Sequence, residues 1–137
     1  MDRKVFVFDL DGLVWDPEMY QLGGGSPFVV ESDHVLRDRH GTKVHLLGDL
    51  PRVLQEIQDM NGILAIASST DEPSWAMECL EKFSVNGKAL ISHFPLNNIV
   101  IQKGSKAHHL TKIASITGLP AHKIVFFDNE SWCVFVF

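Results

Sequence analysis

Short, wholly apolar runs alternate along this chain with stretches whose apolar residues recur every three or four positions. Residues 4–8, KVFVF, are β-branched and aromatic on both faces, which predicts a buried strand in a sheet covered on both sides. GILAIASST supplies a second such run, Ile63 to Ala67, and KIVFFDNE a third, Ile124 to Phe127. Ala89 to Ile91 and Ile99 to Ile101 are shorter strand candidates. Helical spacing fills the intervals. Asp49 can cap a first helix with Pro51 in its opening turn, and Leu50, Val53, Leu54, Ile57 and Met60 share a face before Asn61-Gly62 closes it. Asp71 and Pro73 open a second helix with Ala76, Cys79, Leu80 and Phe83 on one side. GSKAHHLTKIASITGLP predicts a third, with Ala107, Leu110, Ala114 and Thr117 on one stripe and Gly118 at its end.

Strands alternating with helices of about a dozen residues predict βαβ units. The fold class is therefore α/β: a three-layer, Rossmann-like parallel sheet with helices on both faces. Residues 13–48 interrupt this rhythm. Gly23-Gly24-Gly25, followed by imperfect alternation around Asp38 to Gly41, predicts a glycine-rich loop and a β-hairpin flap, with residues 37–43, RDRHGTK, as a solvated tip. The segment is too short for a large cap domain.

Composition narrows the partners more than the fold. At 137 residues the chain corresponds to a single domain, 1–137. Seventeen acidic residues against twelve basic ones, with no basic stripe, argue against nucleic acid. No apolar run approaches the roughly 20 residues needed to span a bilayer, which argues against a membrane, and the opening run is too short for a signal peptide. Cys79 and Cys133 are isolated, as free thiols in a reducing compartment would be, and point to the cytoplasm.

The strand ends carry the chemistry. In open α/β sheets ligands bind at the carboxyl edge, and here the first strand ends on Asp9 and Asp11, the second on Ser68, the last on Asp128, Asn129 and Glu130. Read alone, Asp11-Gly12 is an ordinary turn. Three carboxylates at one edge repel unless a cation sits among them, and oxygen donors without clustered His or Cys suit Mg2+. One aspartate can attack phosphorus while the second protonates the leaving oxygen and later activates water. A serine hydroxyl and a lysine ammonium can hold the phosphoryl oxygens.

VFDLDGLVWD, AIASST, GSKAHH and VFFDNE together resemble the four motifs of the haloacid dehalogenase (HAD) superfamily, most closely its magnesium-dependent phosphatases. The resemblance implies that Asp9 is the nucleophile and Asp11 the acid/base. It implies a Mg2+ site of Asp9, Asp11 through its carbonyl, and Asp128. Ser68, Ser69 and Lys106 would bind phosphate, Lys106 being preferred to Lys103, with Ser69 and Thr70 giving backbone or capping contacts. The implied reaction is phosphomonoester hydrolysis through an aspartyl-phosphate, on phosphotyrosine, other phosphoproteins or small sugar phosphates. The rivals are a receiver-like signalling domain and an inactive phosphate-binding module.

The chain departs from the family pattern twice. Leu13 stands where the family usually has Thr, and only SWCVFVF follows Glu130, so the C-terminal part reads as shortened. That apolar tail is expected to cover the sheet edge, to pair with another chain in self-association, or to mark a chain too short to be fully stable. Trp15 and Trp75 are candidates either for the substrate mouth or for packing under the flap.

Overall fold

The computed structural model describes residues 3–128 and 131–136, with the backbone alone described from residue 128 onward. In chain order the elements are β1 (Val5–Phe8), β2 (Trp15–Asp16), β3 (Val29–Ser32), β4 (Val35–Arg37), β5 (Lys43–Leu46), α1 (Leu50–Asp59) and β6 (Ile63–Ser68). They continue with α2 (Pro73–Lys82), β7 (Ser84–Val85), β8 (Lys88–Ala89), β9 (Ile99–Ile101), α3 (Lys106–Thr117), β10 (Ile124–Asp128) and β11 (Ser131–Val136). The main sheet runs β11-β10-β1-β6-β9, parallel except for β11.

The two-sided apolarity of β1 explains the layering. Val5 and Val7 lie with Ala65, Ala67, Ile124 and Phe126 in one buried cluster that includes Leu110 and Ile113 of α3. Phe6 and Phe8 belong to the other, with Leu54 and Ile57 of α1 and Ala76 and Leu80 of α2. Successive strand residues face opposite ways, so α3 covers one face and α1 with α2 the other. The rings of Phe8 and Phe127 stack 4.8 Å apart across the β1–β10 pair.

Several local expectations are corrected. The buried stripe of α3 is His109, Leu110 and Ile113, while Ala107 is exposed. A polar residue took a core position because its ring Nε2 pairs with the Gln102 carbonyl at 2.8 Å. Ser105 caps this helix by accepting from His108 N, and Gly118 ends it in the left-handed region. Asp49 precedes α1 but its side chain makes no capping bond, and Met60 is exposed. Glu72, not Asp71, occupies the cap position of α2. The strand candidate at Ala89 to Ile91 resolves into the end of β8 and a 3-10 turn, Leu90–His93.

The flap is larger than a hairpin. It is a four-stranded antiparallel sheet, β2-β5-β4-β3, closed by the short β2. Its expected solvated tip holds a buried acid: Asp38 is 3% exposed and accepts backbone N–H bonds from Gly24, Gly25, His40 and Thr42. Those bonds fold the glycine loop back onto the tip. At the other end of the chain, the backbone of β11 pairs antiparallel with β10 and covers that edge of the main sheet.

Candidate active site

β1 and its neighbours end at one level. Phe8 pairs with both Ile66 and Phe127, and Asp9 N donates to the Phe127 carbonyl at 3.2 Å, so Asp9 emerges beside the ends of β6 and β10. One oxygen of its carboxylate, Oδ1, accepts from Leu10 N at 2.8 Å. The other, Oδ2, lies 3.0 Å from Nζ of Lys106. Lys106 is the first residue of α3, and its ammonium also sits 5.0 Å from the Phe126 ring centroid. Lys103, its sequence rival, pairs with Asp71 instead.

Past Asp9 the chain reverses sharply. Leu13 N and Val14 N both donate to the Leu10 carbonyl, Gly12 N donates to the Trp15 carbonyl, and Gly12 takes a φ of 79°, which favours glycine. The reversal brings Trp15 back over Asp11, whose Oδ1 accepts from Trp15 Nε1 at 2.8 Å and from Met19 N at 3.2 Å. Burial pushes the Asp11 carboxyl above the usual carboxylate range, against the hydrogen bonds from Trp15, Met19 and Thr70 that favour its charged form. Trp15 is fully buried and its ring stacks on Phe83. Trp75 packs under the flap, so close to Gly25 that a Cβ there would lie 2.1 Å from the indole.

The β6 end contributes hydroxyls. Ser68 is 1% exposed, and its Oγ accepts from Thr70 N at 3.3 Å while its carbonyl accepts from Gln102 N. Ser69 is exposed, and Thr70 is buried with its Oγ1 accepting from Glu72 N at the start of α2. Asp9, Asp11, Ser68, Ser69 and Thr70 share one open cleft of about 180 Å³, with Glu18, Tyr20 and Asp71 at its mouth. Tyr20 is 64% exposed.

Among the described residues no group of three or more His, Cys, Asp or Glu gathers to hold a metal. The Asp128 side chain lies outside the described side chains, and Asn129 and Glu130 lie outside the described residues altogether. The backbone of Asp128 directly follows Phe127, the partner of Phe8. The donors that do line the cleft are carboxylate and hydroxyl oxygens with no imidazole or thiolate, a set that fits a hard cation such as Mg2+.

Sequence reasoning overlooked Glu18, Tyr20 and the Met19 amide, and left Trp15 undecided. A signal for Trp15 existed: an indole N–H needs an acceptor when buried, and Asp11 stands four residues before it.

The family model described as Acid Phosphatase matches residues 3–136. The chain belongs to the acid phosphatase family of HAD-like hydrolases. A human protein named magnesium-dependent phosphatase 1 is 35% identical over 127 residues, covering 93% of this chain and 68% of that protein. A HAD-like hydrolase superfamily protein of Schizosaccharomyces pombe is 32% identical over 134 residues, covering 93% of this chain and 76% of its own length. Among solved structures, the N-terminal part of a Bacteroides fragilis protein, containing a phosphatase domain and complexed with Mg, superposes with a TM-score of 0.61 at 16% identity. That match covers 92% of this chain and 30% of the other; it supports the fold. In this acid phosphatase family member Leu13 is buried and lines, with Phe8, Leu50, Val53 and Phe127, a small apolar cavity of about 50 Å³. No helix among the described residues is long and apolar enough to cross a membrane.

Proposed function

We propose that this chain, as one domain with residues 13–48 as its flap, is a Mg2+-dependent phosphatase that hydrolyses phosphomonoesters through an aspartyl-phosphate on Asp9. The observation that carries this reading is the Lys106 ammonium 3.0 Å from Asp9 Oδ2, in a site whose second carboxyl, Asp11, is already oriented by two N–H donors. A carboxylate beside a fixed cation is prepared to meet a phosphoryl group, whose negative charge the same ammonium attracts. The names of the human relative and of the Mg-bound structural neighbour support the metal.

In the first half-reaction an Asp9 oxygen bonds to phosphorus, the bond to the leaving oxygen breaks, and Asp11 gives that oxygen its proton. In the second, Asp11 takes a proton from water as the water oxygen bonds to phosphorus, and the bond to Asp9 breaks, releasing inorganic phosphate. Ser68 Oγ, the backbone at Ser69 and Lys106 hold the phosphoryl oxygens. Asp9, the Asp11 carbonyl and Asp128 would hold Mg2+, which offsets the charge gathered on phosphate and carboxylates. The open cleft admits both small sugar phosphates and phosphoproteins, and the exposed Tyr20 ring at its mouth supports aryl phosphates such as phosphotyrosine.

The test is hydrolysis of p-nitrophenyl phosphate by the pure chain with Mg2+, with EDTA, and in Asp9→Asn and Asp11→Asn. Turnover that requires Mg2+ and is lost in both variants is expected. A parent chain no faster than Asp9→Asn would end the phosphatase reading in favour of an inactive binding module.

A further inference from the structure

We propose that Trp15 is the positioning residue for Asp11, holding its carboxyl in one orientation toward the cleft. This rests on the phosphatase reading above and adds to it a residue that does no chemistry itself.

An indole has one N–H and no acceptor. Buried completely, the Trp15 N–H has its partner in Asp11 Oδ1 at 2.8 Å. Met19 N donates to the same oxygen at 3.2 Å. An oxygen receiving two N–H donors acts as an acceptor, and a proton placed on it would have to displace one of them. The indole N–H and the Met19 amide thus pin Oδ1 and, with the Thr70 hydroxyl that also bonds this carboxyl, set the orientation of the acid. Without the donors, the carboxyl can turn about its last bond and present either oxygen.

The donor is also rigid, as a hydroxyl at this place would not be. The indole stacks on Phe83, with ring centroids 5.9 Å apart and planes 22° apart. Its backbone is held by Gly12 N on the Trp15 carbonyl at 2.9 Å and by pairing with Leu46 of the flap strand β5. Leu13, in the same turn, is buried and has no side-chain donor. The flap thus fixes Trp15, and Trp15 fixes the acid.

Positioning of this kind has a signature that general destabilisation lacks. As the bond from Asp9 to phosphorus forms and the bond to the leaving oxygen breaks, the proton from Asp11 travels to that oxygen. A nitrophenolate leaves readily without the proton, whereas an alkoxide needs it. Removing the indole N–H should therefore separate the two substrate classes.

The experiment compares kcat/KM of the parent chain, Trp15→Phe, and a chain carrying benzothienylalanine at position 15, in which sulfur replaces the N–H within the same bicyclic shape. Substrates are p-nitrophenyl phosphate and propyl phosphate, with Mg2+ present, and thermal unfolding is followed for each protein. The expected result is a loss of about 30-fold or more on propyl phosphate, against about threefold or less on the aryl ester, with KM little changed. The benzothienylalanine protein keeps the volume of the core and carries the test if the Phe variant unfolds. Equal losses on both esters, or no loss on either, would overturn the role of Trp15 while leaving the phosphatase reading intact. A parent chain inactive on both esters would overturn both.

Discussion

Lys106 and Lys103 stand three residues apart, yet their surroundings assign them different work. Lys103 forms an exposed pair with Asp71, and such surface pairs contribute about 0–1 kcal/mol. Lys106 is two-thirds covered and faces a carboxylate that is itself 13% exposed. Lys106→Met is expected to lower kcat/KM about 100-fold, as loss of one charge-stabilising donor typically does. Lys103→Met should change it by about threefold or less, and steady-state kinetics on p-nitrophenyl phosphate separate the two. Asp38 and Glu78 make a comparable prediction for stability. Burial works to raise both carboxyls, but it is outweighed: by four backbone N–H bonds at Asp38, and by Lys82, Phe28 N and Ser26 at Glu78. Both end below their usual values of 3.8 and 4.5. A folded pKa below the unfolded one means that the unfolded chain binds more protons in acid. The stabilisation is then complete above the unfolded values and is lost as pH falls through the folded ones. Urea unfolding between neutral pH and acid should give a steep decline for the parent and a flatter one for Glu78→Gln. Asp38→Ala, which strands four N–H groups in and around the glycine loop, should cost about 3 kcal/mol at neutral pH.

At the scale of elements, the placement of Lys106 against Asp9 depends on where α3 begins. Ser105 accepts from His108 N and fixes Lys106 as the first helical residue. Ser105→Ala should destabilise the chain by about 1 kcal/mol in urea unfolding. What could be read from the sequence follows from how each element is specified. β1, β6 and β10 are continuous apolar runs buried on both faces, so composition alone marks them. The strand ends they carry, Asp9 and Ser68, were legible for the same reason. The α3 stripe was misread because periodicity counts only apolar residues, while His109 is held in the core by one bond to a carbonyl. β2, β7 and β8 are two-residue strands that exist through their pairing, which local propensity does not encode. Glu18 and Tyr20 reach the cleft, and the Met19 amide reaches Asp11, through the turn after Asp11, a geometry visible only once the Asp11–Trp15 bridge has formed.

For the whole molecule, four carboxylates, Asp9, Asp11, Glu18 and Asp71, line one cleft, with the Lys106 ammonium against Asp9 and that of Lys103 against Asp71. A bound divalent cation should therefore stabilise the folded chain, by about 2.7 kcal/mol at a hundredfold excess over its Kd. Calorimetry with Mg2+ or EDTA should show a metal-dependent rise in Tm in the parent, reduced in Asp9→Asn. The flap and the sheet meet at the same point: β5 pairs with Trp15, Trp15 donates to Asp11, and β1 ends on Asp9, so separate parts of the fold converge on one cleft. The central claim is that Asp9 becomes covalently phosphorylated. Acid quenching during turnover, followed by digestion and mass spectrometry of the peptide that contains Asp9, tests this most directly. The expected result is a peptide heavier by one phosphoryl group in the parent and unmodified in Asp9→Asn. Turnover by the parent with that peptide unmodified throughout, or the same added mass in Asp9→Asn, would contradict it.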